Sequence, residues 1–437
     1  MGSDGDWQAI EDVVVDILDR RGVTPLKLGG DFSASGHRVI SAKLVKNGRL
    51  DLEADEARFV DESIYKKWMR LPLLAGDVIV TSEAPLGELA YLSKDADWCL
   101  GQRLFALRPR ANVIDGRFLY YALQTQAVRA DLEGRASGTT VLGIRQAELR
   151  KVLVPVLSID VQRDVGGFLG SLDDRIDNLR QTNATLEAIA QALFKSWFVD
   201  FDPVRAKVEG REPEGMDAAT AALFPSDFED SELGPIPGGW AAGTVGDITT
   251  LNASKWTSKK HPSTVRYVDL SGVTRNRIET CTEFDFDAAP SRAHNHLREG
   301  DTIVGTVRPG NRAYAYIHEP EENLTGSTGF AVLSPNTPGL SSFVYLASTS
   351  DEAIERLANL ADGAAYPAVR PGVVADAPCT LPSGCVMEAF AQIATPLLEG
   401  IAKNNARAVA LAALRDTLLP RLISGKLLLP DAEALLD

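Results

Sequence analysis

Residues 161–199 read VQRDVGGFLGSLDDRIDNLRQTNATLEAIAQALFKSWFV, and the rest of the chain takes its organisation from them. Val165, Leu169, Leu172, Ile176, Leu179, Asn183, Leu186, Ala190, Leu193 and Trp197 follow one another at alternating steps of four and three. That is a heptad seam sustained for more than four repeats with no proline inside it. At 1.5 Å per residue such a helix is roughly 60 Å long, more than a compact domain ordinarily uses. One seam position is polar: Asn183 among apolar neighbours has the character of a residue that fixes register at some cost in stability. Taken alone, the stretch could equally be a single amphipathic helix lying on a core.

A second copy decides between the two. At a shift of 225 residues Val165 falls on Phe390, Phe168 on Ile393, Leu172 on Leu397, Ile176 on Ile401, Leu186 on Leu411 and Leu193 on Leu418. Upstream, at the same shift, Phe118-Leu119-Tyr120 falls on Phe343-Val344-Tyr345, Phe105 on Phe330, and the pattern Gly138, Ile144, Arg145 on Gly363, Val369, Arg370. Gly76–Val80 meets Gly300–Val304 at a shift of 224. Units of about 200 residues are too large for a solenoid, whose repeats run to about 20–50. The chain is therefore a tandem duplication, each copy a globular part followed by a long helix, and the two helices are expected to pair antiparallel as an intramolecular coiled coil.

Within the 437 residues the fold class is α+β or mixed: two tandem-duplicated α/β domains joined by two long antiparallel helices. The boundaries expected are a first globular domain at 1–160, helix at 161–200, acidic linker at 201–232, second globular domain at 233–384, second helix at 385–425 and a tail at 426–437. A short amphipathic helix is expected around Ile10–Leu18. Short strands are expected at Arg38–Ile40, Asp77–Val80 and Lys151–Val156, with turn residues such as Lys46-Asn47-Gly48, and a helix at Arg117–Glu133. The first long helix should stop before Pro203, and the second, from about Val386 to Leu419, at Pro420 and then Gly425.

Net charge is −15, which at first sight argues against a polyanionic partner. Its distribution changes that. Residues 1–19 hold six acids and no base, residues 201–234 nine acids against three bases, and together they account for −12. Residues 20–160 stand at +4 and residues 235–384 at −4. No apolar run approaches the ~18 residues needed to cross a bilayer, and MGSDGDW lacks the basic-then-apolar order of a signal peptide, so a cytoplasmic protein is expected. Cys99, Cys281, Cys379 and Cys385 lie in no CxxC spacing, so neither a zinc site nor a disulfide framework is expected.

Catalytic motifs are missing. No nucleotide-binding glycine loop, GxSxG or HExxH occurs, and the pair His294-Asn295-His296 has no carboxylate or cysteine at ligand spacing. A binding or scaffold protein is favoured over an enzyme, and no cofactor or metal is expected. Two rivals stay open: a helical scaffold or regulatory protein with degenerate domains, and a nuclease in which Asp200, Asp202 and Lys207 converge on a metal.

Three segments carry a resemblance. Residues 172–207, LDDRIDNLRQTNATLEAIAQALFKSWFVDFDPVRAK, closely resemble the central region of specificity subunits of type I restriction–modification systems. GPIPGGWAAGTVGDI (234–248) is similar to the start of that family's second target-recognition domain, and LRDTLLPRLISGKL (414–427) to its C-terminal motif. The resemblance implies two target-recognition domains, each reading one half of a bipartite double-stranded DNA sequence. It implies helices that set the distance between half-sites and dock two methyltransferase (modification) subunits, to which restriction (helicase-nuclease) subunits are added. It implies a non-catalytic DNA-recognition subunit, and the lack of a bilayer-length apolar run leaves no membrane partner expected. The opening departs from the family pattern, since Trp7 is followed by an expected acidic helix rather than a strand.

Two domains on a rigid spacer suit this reading, because a fixed spacing selects paired half-sites as dimeric DNA-binding proteins do. Arg38, Lys43, Lys46 and Arg49 form an acid-free run, and at a local shift of 228 Arg38 falls on Arg266 and Arg49 on Arg277. The second copy adds Lys255, Trp256, Lys259, Lys260 and Arg275. These are the candidate DNA-facing residues, chiefly for phosphate, against the plainer reading of a solvated strand face. Arg145 and Arg370, kept through the duplication, are expected to pair with a carboxylate. Ser196, Trp197 and Phe198 suit core packing or subunit docking.

Overall fold

A computed structural model of the chain describes residues 6–46, 48–52 and 56–433. Two compact units emerge, one of residues 1–176 with 409–437 and one of residues 177–408.

In the first unit a four-stranded antiparallel sheet has the order Val14–Asp19, Leu104–Pro109, Val78–Thr81, Leu89–Tyr91. Beside it His37–Ile40 pairs antiparallel with Phe59–Val60 and parallel with Cys99–Leu100. The second unit repeats both. Thr249–Leu251, Phe330–Pro335, Thr302–Gly305 and Tyr314–Tyr316 form the antiparallel sheet. Thr264–Val268 pairs antiparallel with Thr282–Asp285 and parallel with Leu324–Ser327. The strand pairing is kept: Phe105 faces Val80 in the first sheet, and Phe330 faces Gly305 in the second. The central strands are nearly continuous apolar runs because helices cover them; Val78, Ile79, Val80 and Leu104–Leu107 are all fully buried.

Each globular part begins and ends on one strand pair. Asp6–Ala9 pairs with Leu153–Val156 in the first unit, and Ala241–Thr244 with Pro378–Leu381 in the second. The expected helix at Ile10–Leu18 is thereby corrected. Only Ile10–Val13 is helical, and Val14–Asp19 is a strand whose ladder to Leu104–Pro109 outweighs its weak helical periodicity. Trp7 lies in a strand, so the opening does not depart from a strand start. Asn47, in the expected turn, and residues 1–5, 53–55 and 434–437 lie outside the described residues. The helix expected at Arg117–Glu133 is two, Gly116–Ala122 and Gln126–Gly134; the Thr125 hydroxyl donates to the Ala122 carbonyl where they part.

The long helices are Ile159–Phe198 and Gly384–Ile423, each 40 residues. In the second unit the two run antiparallel: Asn183 bonds Ile401 and Asn405, Leu186 lies against Gly400, and Phe198 stacks edge-on to Phe390 with centroids 4.8 Å apart. In the first unit the order is the same, with Asp173 paired to Arg415 and Val165 and Leu169 sharing a core with Leu418, Leu422 and Ile423. Of the seam, Leu172, Ile176, Asn183, Ile401 and Leu418 are buried, while Leu179, Leu186, Leu193, Leu397 and Leu411 are half-buried. Trp197 and Phe198 belong to an aromatic core with Phe224, Trp240, Phe343 and Phe390, so core packing accounts for them.

Two further expectations change. The second helix does not stop at Pro420 but runs through it and through Pro396, ending before Gly425 in the left-handed region. Each proline forgoes one backbone hydrogen bond, and burial of Leu418, Leu419, Leu422 and Ile423 holds the helix past the second. The acidic segment 201–232 is no bare linker: Asp202–Val208 and Ala218–Ala222 are helices, and Phe201, Val204 and Phe224 are buried in the second unit's core. Finally, Gly384–Ile423 contains an 18-residue window with mean hydropathy 1.2, long and apolar enough by composition to cross a bilayer. No such run was expected from the sequence. In this fold its Phe390, Ala394, Leu398 and Ile401 are core residues of the second unit.

Candidate nucleic-acid interface

The two basic segments occupy equivalent places. Arg38 lies on His37–Ile40 and Arg266 on Thr264–Val268, the central strands of the paired sheets. Arg49 lies in the two-residue ladder Val45–Lys46 with Arg49–Leu50, and Arg277 in the ladder Val273–Thr274 with Arg277–Ile278. The shift of 228 thus reflects a structural repeat, a strand followed by a small hairpin.

What each side chain does differs. The Arg38 guanidinium donates to the Leu52 carbonyl, so part of its hydrogen bonding is turned onto its own domain. Lys43, on the single turn Ala42–Leu44, and Lys46, facing Arg49 across the hairpin, are exposed. Gly48 takes φ +79° at that turn, and its carbonyl accepts from the Tyr120 hydroxyl at 2.9 Å, anchoring the hairpin to the Gly116–Ala122 helix.

In the second unit Lys255 is exposed beside an isolated bridge to Asn295. Trp256 is a framework residue: its indole donates to the Thr325 hydroxyl at 2.8 Å and stacks on His296 at 4.2 Å. The stack and neighbouring Arg298 go with a His296 held below its usual range, burial being the main cause. Lys259 and Lys260 stand exposed on the turn closed by the Thr257–Lys260 bridge. Arg266 is paired with Glu321, and Arg277 with Glu279 at 3.1 Å. Arg275 is exposed with φ +39°, its backbone N–H donating to the Arg312 carbonyl. Among the candidate DNA-facing residues of the second unit, the exposed cations are therefore Lys255, Lys259, Lys260 and Arg275, a shorter set than the sequence proposed.

A cleft of about 550 Å³ in the second unit joins the Arg275–Arg277 hairpin to the helix pair; Arg180, Asn183, Glu187, Asn276 and Arg312 line it. Glu187 accepts from the Tyr345 hydroxyl at 2.7 Å and from Asn276 Nδ2 at 3.3 Å. Burial still holds its carboxyl above the usual carboxylate range, the two hydrogen bonds offsetting only part of the desolvation. Asn405 Nδ2 donates to the Asn276 carbonyl at 2.9 Å, so the hairpin is tied to both helices. Sequence periodicity found Asn183 but not Asn404, Asn405 or Glu187, since polar residues off the seam carry no periodic signal.

Other expectations resolve plainly. Arg145 and Arg370 are exposed and, among the described residues, pair with no carboxylate, which corrects the expectation of a structural ion pair. Asp200 is bound to Lys195, and the Lys207 ammonium donates to the Phe224 carbonyl at 2.6 Å, so the three residues of the nuclease reading do not converge. No cluster of three or more metal-ligating side chains occurs among the described residues.

Residues 6–188 match the family model described as the type I restriction modification DNA specificity domain. The specificity subunit of the type I restriction enzyme MjaIX of Methanocaldococcus jannaschii is 22% identical over 356 residues, covering 80% of this chain and 78% of the relative. The specificity subunit of the HindI enzyme of Haemophilus influenzae is 22% identical over 404 residues, covering 80% and 86%. The crystal structure of a type I restriction-modification system S subunit from M. genitalium shares the fold, with TM-score 0.52 at 17% identity over 97% of each chain.

Proposed function

We propose, for a chain that belongs to the specificity-subunit family of type I restriction–modification systems, that it supplies the DNA-reading component of such a complex. Each globular part reads one half of a bipartite duplex target, and the long helices fix the separation of the halves. The same helices dock methyltransferase subunits, to which restriction subunits add, and the chain itself performs no chemistry. The observation that supports this most is the repetition, in each unit, of the same sheet pair carrying a cationic strand-and-hairpin element. Two copies of one reading surface are what a bipartite target requires. The cations position the duplex through phosphate, and neighbouring groups read base edges.

The test is co-expression with a type I modification subunit, followed by mapping of methylated bases across a host genome. The expected result is one bipartite motif with a fixed spacer. Replacing residues 233–384 by the equivalent segment of a relative should alter one half of that motif and leave the other half and the spacer unchanged. A contiguous motif, or a replacement that alters both halves, would sink the reading.

A further inference from the structure

Residues 138–145, GTTVLGIR, and 363–370, GAAYPAVR, form one loop built twice. Each starts at a glycine in the left-handed region, Gly138 at φ +127° and Gly363 at φ +113°. At Gly138 a Cβ would sit 2.1 Å from the Val141 carbonyl, so the turn excludes other residues there. Each loop closes on itself by a bridge, Ser137 with Gly143 and Asp362 with Ala368. Each is pinned to the main sheet at its far end, where Ile144 N–H donates to the Ser82 carbonyl and Val369 N–H to the Thr306 carbonyl, both at 2.9 Å. Ile144 and Val369 point into the cores. The next residue, Arg145 or Arg370, caps a short helix with its backbone and leaves its side chain in solvent.

The tips are apolar and exposed. Val141 and Leu142 are 50% and 52% exposed, and Tyr366, at the position equivalent to Val141, is 71% exposed. Such residues on a pinned loop do nothing for the core. A side chain kept apolar at both tips, with an arginine free of any carboxylate among the described residues at both bases, asks for a partner that is anionic and presents a groove. Duplex DNA has that chemistry. An acidic protein surface would use the arginines but gives no reason for one loop in each duplicated domain.

The second loop adds a cation. Arg308 donates to the Ala365 carbonyl at 2.8 Å and lies over the Tyr366 ring at 4.6 Å, where the first unit's equivalent is Ala84. The guanidinium holds the ring upright rather than letting it fold back.

We infer that these two loops are DNA-contacting elements, one per recognition domain. Arg145 and Arg370 hold phosphate, while Val141, Leu142 and Tyr366 enter a groove against sugar and base edges. The inference rests on the DNA-reading function proposed above. It adds a contact surface separate from the strand-and-hairpin elements, and it gives the two half-sites different tips.

The experiment uses the full chain and a mixed-sequence 40-bp duplex, with affinity measured from low to moderate salt. Arg145→Gln and Arg370→Gln should each reduce the salt slope by about 0.9, and the double variant by about 1.8. Each lost contact therefore narrows the affinity change across a fourfold salt increase by about threefold. Arg145→Lys with Arg370→Lys keeps the charge and should keep the parental slope, which an effect of shape alone would not. A double Gln variant with the parental slope overturns the inference while leaving DNA reading intact. So does a Lys variant that behaves like Gln. A parent chain with no salt-dependent binding overturns both.

Discussion

Asn183 of the first long helix donates its side-chain amide to Asn405 Oδ1 of the second at 2.8 Å, while its own carbonyl oxygen accepts from Asn404 at 2.9 Å. Asn183 is 8% exposed and also reaches the Ile401 carbonyl. A one-turn slip of either helix would leave these amides unpaired among apolar side chains, so the cluster selects one register.

Asn183→Ala should lower the unfolding free energy of the second unit by about 1–3 kcal/mol, because Asn404 and Asn405 lose partners in a buried seam. Denaturant unfolding followed by far-ultraviolet circular dichroism measures this. An unchanged midpoint would mean that water replaces the lost amide at no cost.

Glu187 gives a pH signature. Its folded-state pKa is raised, with burial the largest cause. The native state therefore holds a proton that the unfolded chain releases, and stability falls as pH rises from the ordinary carboxylate range through the folded value. Glu187→Gln keeps a carbonyl for Tyr345 and Asn276 and removes the titration. At neutral pH the variant should melt higher than the parent, and near pH 4 the two should converge. Asp301, also raised by burial, leaves a residual slope in both. Parallel melting curves at every pH would refute the assignment.

Pro396 is exposed inside the second long helix. Pro396→Ala restores a backbone donor and removes the ring's clash with the preceding turn, set against greater freedom in the unfolded chain. A stabilisation of about 1–3 kcal/mol is expected. Calorimetry that finds the variant less stable would show that the neighbouring turns have adapted to the ring.

Lys259 and Lys260 stand side by side on an exposed turn. Changing both to Ala should weaken binding to matched and mismatched duplexes alike and reduce the salt slope by about two. Arg266→Ala should change the slope less, since Glu321 already neutralises that guanidinium. If the two variants reversed this order, the DNA face would lie along the strand instead of the turn.

The duplication and the helix pair were legible because both are periodic: a seam at steps of three and four, and a repeat at 225 residues. Strand cores such as Val78–Thr81 were legible as apolar runs. Val14–Asp19 was not, since six residues fit a strand or a helical stripe equally until a partner strand is known. Proline misled at 420, where tertiary burial overrode a local rule. For the basic residues, composition found the right strands and hairpins but not their state. Whether Arg266 meets Glu321 depends on residues 55 apart in sequence, and nothing local encodes that.

The first unit is closed by residues that follow the whole of the second unit in the chain. Leu418, Leu419, Leu422, Ile423 and Ala432 lie in the same core as Ile10, Val78 and Phe118. The second unit, residues 177–408, is one uninterrupted segment. A ribosome therefore finishes the second unit's chain while the first still lacks a wall of its core, and the order of completion runs against the order of synthesis. A premature stop near residue 410 would spare the part translated just before it and leave the part translated first unable to shut.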